Sequence, residues 1–135
     1  MKIRKAQNSE IKQIKKLVDF FEEMDVIEET FPEKYYRRIL KKGILLVAIE
    51  DNELIGVCFG TCNTKEKWAD LLGLVVKEKF RKRGVGSSLV KEFEKIAKAK
   101  NLKTIDLYAD KTQVQLFKRL SYKQGRIYIA FRKKL

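Results

Sequence analysis

The chain contains no histidine, a single proline, two cysteines and no long apolar run, and each scarcity removes a class of protein. Without imidazole there is no serine–histidine triad and no histidine general base. Proton transfer therefore falls to carboxylates, phenols, amines or water. A zinc site would have to be built from thiolates and carboxylates alone. Cys58 and Cys62 stand four residues apart in a strand-like run, which places them about 13 Å from each other at strand rise, too far to bridge. They read as reduced, buried thiols of a cytoplasmic protein. One proline excludes a proline-rich linker. No stretch approaches the ~18 consecutive apolar residues of a membrane span. The opening MKIRKAQNSE has no apolar core, so no secretory signal is expected.

What is present fits one globular unit. At 135 residues, 44% of them hydrophobic, the chain is expected to fold as one domain over residues 1–135 with a full core. Thirty-one Lys and Arg against eighteen Asp and Glu give a formal charge of +13. That excess favours an anionic partner: nucleic acid, an acidic surface or a polyphosphate cofactor.

Hydrophobic periodicity predicts the elements. Lys2 to Ala6 reads as a strand. Asn8 or Ser9 caps a helix with Ile11, Ile14, Leu17, Val18 and Phe21 on one face. Pro32 suits the first turn of a second helix ending near Gly43. Ile44–Ile49 and Leu54–Gly60 form a hairpin about Asp51-Asn52, and Trp68–Val76 follows as a third long strand. Gly84 opens a helix carrying Val85, Leu89, Val90, Phe93, Ile96 and Ala97. Thr104–Tyr108 is a strand, Thr112–Leu120 a short helix and Ile127–Phe131 a last strand. The order β-α-α-β-β-β-α-β-α-β describes a mixed α/β domain.

The segment from Leu74 to Leu89 carries the chemistry. A buried strand, Leu74-Val75-Val76, runs through the basic loop Arg81-Lys82-Arg83 into a helix that begins Gly84-Val85-Gly86-Ser87. A helix N-terminus offers unpaired N–H groups and a positive dipole end, and glycines let an anion approach the backbone. Together these features read as a pyrophosphate cradle. It is not a dinucleotide fingerprint, because Leu89 stands where the third glycine belongs. Nor is it a P-loop, because Ser87 follows Gly86 in place of lysine. A solvated basic loop before an ordinary helix is the plainer alternative.

R-x-x-G-x-G after Leu-Val-Val, and ahead of an amphipathic helix, resembles motif A of the GNAT N-acetyltransferases. The order of elements agrees with that family along nearly the whole chain. Leu116-Phe117-Lys118-Arg119-Leu120-Ser121-Tyr122 is similar to its later L-Y-x-x-x-G-F stretch. The resemblance implies a central mixed sheet of about six to seven strands flanked by about four helices, with acetyl-coenzyme A as cosubstrate. It implies that backbone groups of Leu74, Val75 and Val76 bind the acetyl and pantetheine part. It implies that the segment Arg81, Lys82, Arg83, Gly84, Val85, Gly86 and Ser87 holds the pyrophosphate, and that the Leu74 N–H faces the oxyanion. An amine would attack the thioester directly.

Two departures from the family pattern stand out. Phe117 occupies a cofactor-contacting position where relatives often carry a tyrosine that protonates the leaving thiolate; phenylalanine has no proton to give and also reads as a core aromatic. Leu72 stands where some relatives have a glutamate, and Asp70, two residues earlier on the same strand face, is the candidate base. Asp70 reads equally as a surface carboxylate.

Charge is segregated. Glu22, Glu23, Asp25, Glu28 and Glu29 put five acids and no base into residues 22–29, whereas residues 111–135 contain eight bases and no acid. By analogy with the family, Glu28 and Glu29 would border the acceptor entrance and draw in a cationic amine: a lysine, a peptide N-terminus or a polyamine. The basic stretch, with Tyr122, Tyr128 and Phe131 among its bases, supports a rival reading as a nucleic-acid-binding module on the same fold. The expectation is a cytoplasmic N-acetyltransferase, monomer or homodimer, with no membrane partner.

Overall fold

Five strands make one sheet in the order β1 (Lys2–Lys5), β2 (Ile44–Glu50), β3 (Glu53–Asn63), β4 (Trp68–Val76) and β5 (Thr104–Leu107). The computed structural model describes residues 1–22 and 30–135. Neighbours from β1 to β4 pair antiparallel, and β5 runs parallel to β4. Among the described residues four α-helices accompany them: α1 (Ile11–Glu22), α2 (Glu33–Lys42), α3 (Val85–Ala99) and α4 (Val114–Arg119). The turn between β2 and β3 places Asp51 at φ 49° and Asn52 at φ 62°. Two successive left-handed residues match the twist of a tight hairpin, and Asp and Asn tolerate that region.

The sheet is covered on both faces, which explains the unbroken apolar run of β2. Leu45 and Val47 join Val57, Phe59 and Val75 beneath α1 and α2, where Ile14, Val18, Tyr36 and Ile39 close one core layer. Ile44, Leu46 and Ala48 point the other way and join Ile55, Cys58 and Leu74 beneath Leu89, Val90 and Phe93 of α3. The start of α1 is set by Glu10, whose Oε1 accepts from the Gln7 backbone N–H at 2.7 Å and whose carboxylate pairs with Arg4. The cap is thus Gln7, one residue before Asn8 and two before Ser9.

Two irregularities shape the functional end of the sheet. Phe59 pairs with Gly73 but Gly60 pairs with Leu71, so Leu72 is an extra residue, a bulge that leaves its side chain 48% exposed. A Cβ on Gly73 would clash with the edge of the Phe59 ring, so this close approach requires glycine. Beyond the bulge β4 and β5 part. Trp68–Leu71 pair with Thr104–Leu107, whereas Leu74–Val76 continue pairing only with β3.

The expected last strand is not part of the sheet. Ile127 and Ile129 are each 76% exposed and Phe131 is 90% exposed, and residues 122–135 have no strand assignment. Among the described residues the sheet therefore has five strands, fewer than the six to seven expected. Alternation gives a segment strand propensity, but a strand forms only against a sheet edge. Here the segment only grazes the end of β5, where the Tyr108 and Tyr128 rings meet edge-on at 5.6 Å.

Candidate active site

The parting of β4 and β5 makes a cleft of about 320 Å³ lined by Leu74 and Val76, by the loop ahead of α3, and by Thr112, Gln113, Leu116 and Arg119 around α4. In an antiparallel strand, the N–H and C=O of one residue point to the same side, and successive residues alternate. The Leu74 carbonyl accepts from Gln113 Nε2 at 2.8 Å and the Val76 carbonyl from Arg81 Nε at 3.0 Å. Both residues therefore turn their backbone groups away from β3 and into the gap. The Leu74 N–H faces the gap with its carbonyl. Val75 alternates toward β3 and its side chain is buried beneath α1 and α2, so it presents nothing to the cleft.

The far end of the cleft is the start of α3. Gly84, at φ 79°, holds the left-handed turn before the helix, and no side chain caps that end. Ser88 makes the first helical bond, to the Gly84 carbonyl at 3.0 Å. The amides of Val85, Gly86 and Ser87 precede it and lie at the positive end of the helix dipole. A Cβ on Gly86 would approach Leu116 and Leu74 at 3.4 and 3.8 Å, so the missing side chain is space belonging to the cleft. Three cations surround these amides: Arg81 and Lys82 from the loop and Arg119 from α4. Arg81 also lies over the Phe21 ring at 5.5 Å, which ties the end of α1 to the loop. Electrostatically this arrangement suits an anion, with an apolar channel leading from it.

The structure thus brings together Leu74, Val76, Arg81, Lys82, Gly84, Val85, Gly86 and Ser87. Arg83 turns elsewhere, to Glu50 at 3.9 Å and over the Phe80 ring at 5.4 Å. Phe117 is buried beneath the sheet, edge-on to Tyr122 at 5.3 Å, and does not line the cleft. Tyr122 donates its hydroxyl to Glu94 Oε2 at 2.8 Å, and burial with that carboxylate raises its pKa above the usual phenol range. Tyr108 packs on Tyr128. Neither hydroxyl reaches the cleft. Asp70 stands in the paired half of β4, opposite Thr61 and Asp106, roughly 13 Å along the strand from Leu74. Glu28 and Glu29 lie outside the described residues.

Sequence reasoning missed Gln113, Thr112 and Arg119. One signal was available for the first two: Asp110-Lys111-Thr112 is a helix-start pattern, and Asp110 Oδ1 accepts from both the Thr112 N–H and its hydroxyl at 2.6 Å. Burial pushes the Cys58 thiol up, and Cys62 is shifted the same way. No group of three metal-ligating side chains occurs among the described residues. No helix among them is long and apolar enough to cross a membrane.

Residues 11–122 match the model of the acetyltransferase (GNAT) family. A search of curated proteins finds no match in sequence. Among solved structures, the chain resembles the aminoglycoside N-acetyltransferase AAC(6')-Iy in complex with CoA, at 16% identity and a TM-score of 0.79, covering 99% of this chain and all of that one. A putative acetyltransferase from Agrobacterium tumefaciens superposes at a TM-score of 0.78, with 16% identity over 98% of this chain and 100% of the other. An aminoglycoside acetyltransferase from an uncultured soil metagenomic sample, solved with sisomicin, gives 0.74 at 17% identity, covering 98% and 96%.

Proposed function

Because the chain belongs to the GNAT acetyltransferase family, acetyl-coenzyme A-dependent acyltransferases, we propose that it acetylates a primary amine of a cationic acceptor. One observation carries the reading: an uncapped helix N-terminus with three cations opens into the same cleft as the edge of Leu74 and Val76 that no strand covers. A pyrophosphate fits the first and an amide-bearing chain fits the second. Bound acetyl-coenzyme A supplies an activated thioester whose acetyl group an amine takes, releasing the thiol.

The chain's own residues then have these tasks. Amides of the segment Arg81 to Ser87, above all Val85 to Ser87, hold the pyrophosphate with Arg81, Lys82 and Arg119. Leu74 and Val76 present the hydrogen-bonding edge that β5 leaves open. The Leu74 N–H donates toward the carbonyl oxygen, where negative charge develops. No tyrosine hydroxyl lines the cleft, so solvent protonates the departing thiolate; its thiol resembles free cysteine, with a pKa of about 8.5. Asp70 is too distant to touch the amine at Leu74, so as a base it works through water.

The acceptor is read as cationic for two reasons. Glu28 and Glu29 give the sequence an acidic segment in a basic chain, and two of the structural relatives are aminoglycoside acetyltransferases. The whole of residues 1–135 acts as one domain, in the cytoplasm, where Cys58 and Cys62 remain free thiols. The test is thiol release from acetyl-coenzyme A with a lysine peptide, a free peptide N-terminus, a polyamine and an aminoglycoside. Turnover on one or more is expected. Turnover on none, together with no acetyl-coenzyme A shift in melting temperature, would overturn the reading.

A further inference from the structure

A second cavity, of about 420 Å³, lies at the β1 edge of the sheet, where Lys5 and Asn8 meet Arg37, Leu40 and Lys41 of α2. It shares no lining residue with the cleft. Asn8 borders the one and Phe21 the other, about 20 Å apart at helical rise. Three cations converge on this cavity and no acid lines it. Cations nearby are neutralised internally, Arg4 by Glu10 and Lys15 by Asp19. Among the described residues Lys5 and Lys41 have no acidic partner. Arg37 meets Glu33 at 3.5 Å in an exposed pair, which contributes little. The rest of α2 extends the charge, with five bases and one acid in its ten residues. Lys34–Arg38, Arg37–Lys41 and Arg38–Lys42 are like-charge pairs one helical turn apart, an arrangement that weakens a helix. Lys41 and Lys42 suit the negative end of the helix dipole, but Lys34 stands in the first turn, at the positive end. The folding of α2 does not call for these charges.

We propose that this cavity and the exposed face of α2 bind the phosphodiester backbone of duplex nucleic acid. One phosphate enters the cavity among Lys5, Arg37 and Lys41, and its neighbours lie beside Lys34, Arg38 and Lys42. The bases of α2 run about 12 Å along its axis, and a duplex carries one negative charge per ~1.7 Å of its own. A single small phosphate would use the three cavity cations and leave the others unmatched. Single strands are held by stacking bases on aromatic rings, and α2 offers none: Tyr36 is buried and Tyr35 is stacked on Phe31. An acidic membrane would need apolar side chains on the outer face, yet no large apolar residue of α2 is exposed. Contacts to phosphate hold a duplex in place without reading its sequence. The C-terminal bases form a separate surface, since that stretch meets Tyr108, just past β5 at the opposite edge of the sheet.

The experiment is fluorescence anisotropy of a labelled DNA duplex, of about 20 base pairs, titrated with the full chain between about 50 and 200 mM salt. The native chain is compared with the double variant Arg37→Gln, Lys41→Gln. A second double variant, Lys133→Gln, Lys134→Gln, removes the same charge from the C-terminal stretch. Native binding is expected at roughly 1–100 micromolar near physiological salt, with log affinity falling against log salt at a slope of about −3.6 for about four phosphates. The α2 variant should bind at least about tenfold more weakly, with the slope reduced to about −1.8, whereas the C-terminal variant should stay within about threefold of native. Lys5→Gln should weaken binding about two- to fivefold, a result that does not depend on the integrity of α2. Melting temperatures of the α2 variant should be unchanged or raised, because two like charges leave the helix. Saturating acetyl-coenzyme A should leave duplex affinity unchanged, because the two cavities share no residue. The proposal is overturned by no binding at physiological salt, by native affinity in the α2 variant, or by equal weakening in the C-terminal variant. Displacement of the duplex by acetyl-coenzyme A also overturns it. So does displacement by polyglutamate as effectively as by unlabelled duplex at equal charge, which would assign the surface to an acidic protein.

Discussion

Gln113 Nε2 donates to the Leu74 carbonyl at 2.8 Å across 39 positions of sequence, and so occupies an acceptor that the open edge of β4 would otherwise present to the cleft. On the proposed reading, that carbonyl is needed by the pantetheine amides, and the glutamine must leave when acetyl-coenzyme A enters. Gln113→Ala is therefore expected to bind acetyl-coenzyme A about two- to tenfold more tightly, the equivalent of one net hydrogen bond of ~0.5–1.5 kcal/mol. Isothermal titration calorimetry measures this directly. Weaker binding in the variant would instead make Gln113 a contact of the bound cosubstrate.

The two glycines at the start of α3 should respond differently. Gly84 has open space around it, so its requirement is the backbone angle of φ 79° alone. Gly84→Ala should cost about 1–2 kcal/mol and lower the melting temperature by several degrees. Gly86 lies in the first turn of the helix, where a methyl group makes ordinary contacts with Leu116 and Leu74. Gly86→Ala should leave stability unchanged or slightly raised, while acetyl-coenzyme A affinity falls. Melting curves with and without acetyl-coenzyme A separate the two effects; equal ligand shifts in Gly86→Ala and the native chain would remove Gly86 from the site.

Phe117 is expected to matter for packing and not for proton transfer. Its ring is 5% exposed in the layer beneath α3, so Phe117→Ala should lose roughly 3–5 kcal/mol in denaturant titration. Phe117→Tyr should change turnover by less than about tenfold. A gain or loss beyond a thousandfold, about 4 kcal/mol of barrier, with folding intact, would contradict solvent as the proton source.

Acid should weaken the junction of β1 and α1. Arg4 binds the Glu10 carboxylate through both guanidinium nitrogens, at 2.9 and 2.8 Å, and this bond lowers the Glu10 pKa. A carboxyl lowered in the folded state stabilises the fold above its unfolded value and loses that contribution as pH falls through the folded one. Stability should thus fall below about pH 4. Glu10→Gln should cost about 1 kcal/mol at neutral pH and flatten that part of the acid slope. An unchanged slope in urea titrations from pH 6 to pH 3 would assign it to other carboxylates.

Most of this architecture could be read from local pattern. The helical spacing of Ile11, Ile14 and Val18, the Asp51-Asn52 turn and the strand-to-glycine passage from Leu74 to Gly86 each depend on neighbours in sequence. What escaped depends on pairing between distant segments. Nothing in Trp68–Val76 says that β5 will accompany only its first half, so the direction of the Val75 backbone and the distance of Asp70 were not legible. Arg83 reads as one of three equivalent bases until Glu50, at the end of another strand, draws it away. Gln113 is a polar residue on a short helix with no periodicity to mark it. Ile127–Phe131 has every local mark of a strand, and its place is decided by whether an edge is within reach.

The parting of β4 from β5 has a consequence for the lifetime of the protein. On the proposed reading, a sheet whose fourth strand lacks a strand partner along half its length gains one only when acetyl-coenzyme A lies alongside. Each hundredfold excess of free ligand over its dissociation constant then adds about 2.7 kcal/mol to the folded state. In a cell, proteolysis follows the small fraction of molecules that open. A fall in the acetyl-coenzyme A pool would therefore shorten the survival of the chain before any change in its synthesis, so that its abundance becomes a slow record of acetyl supply.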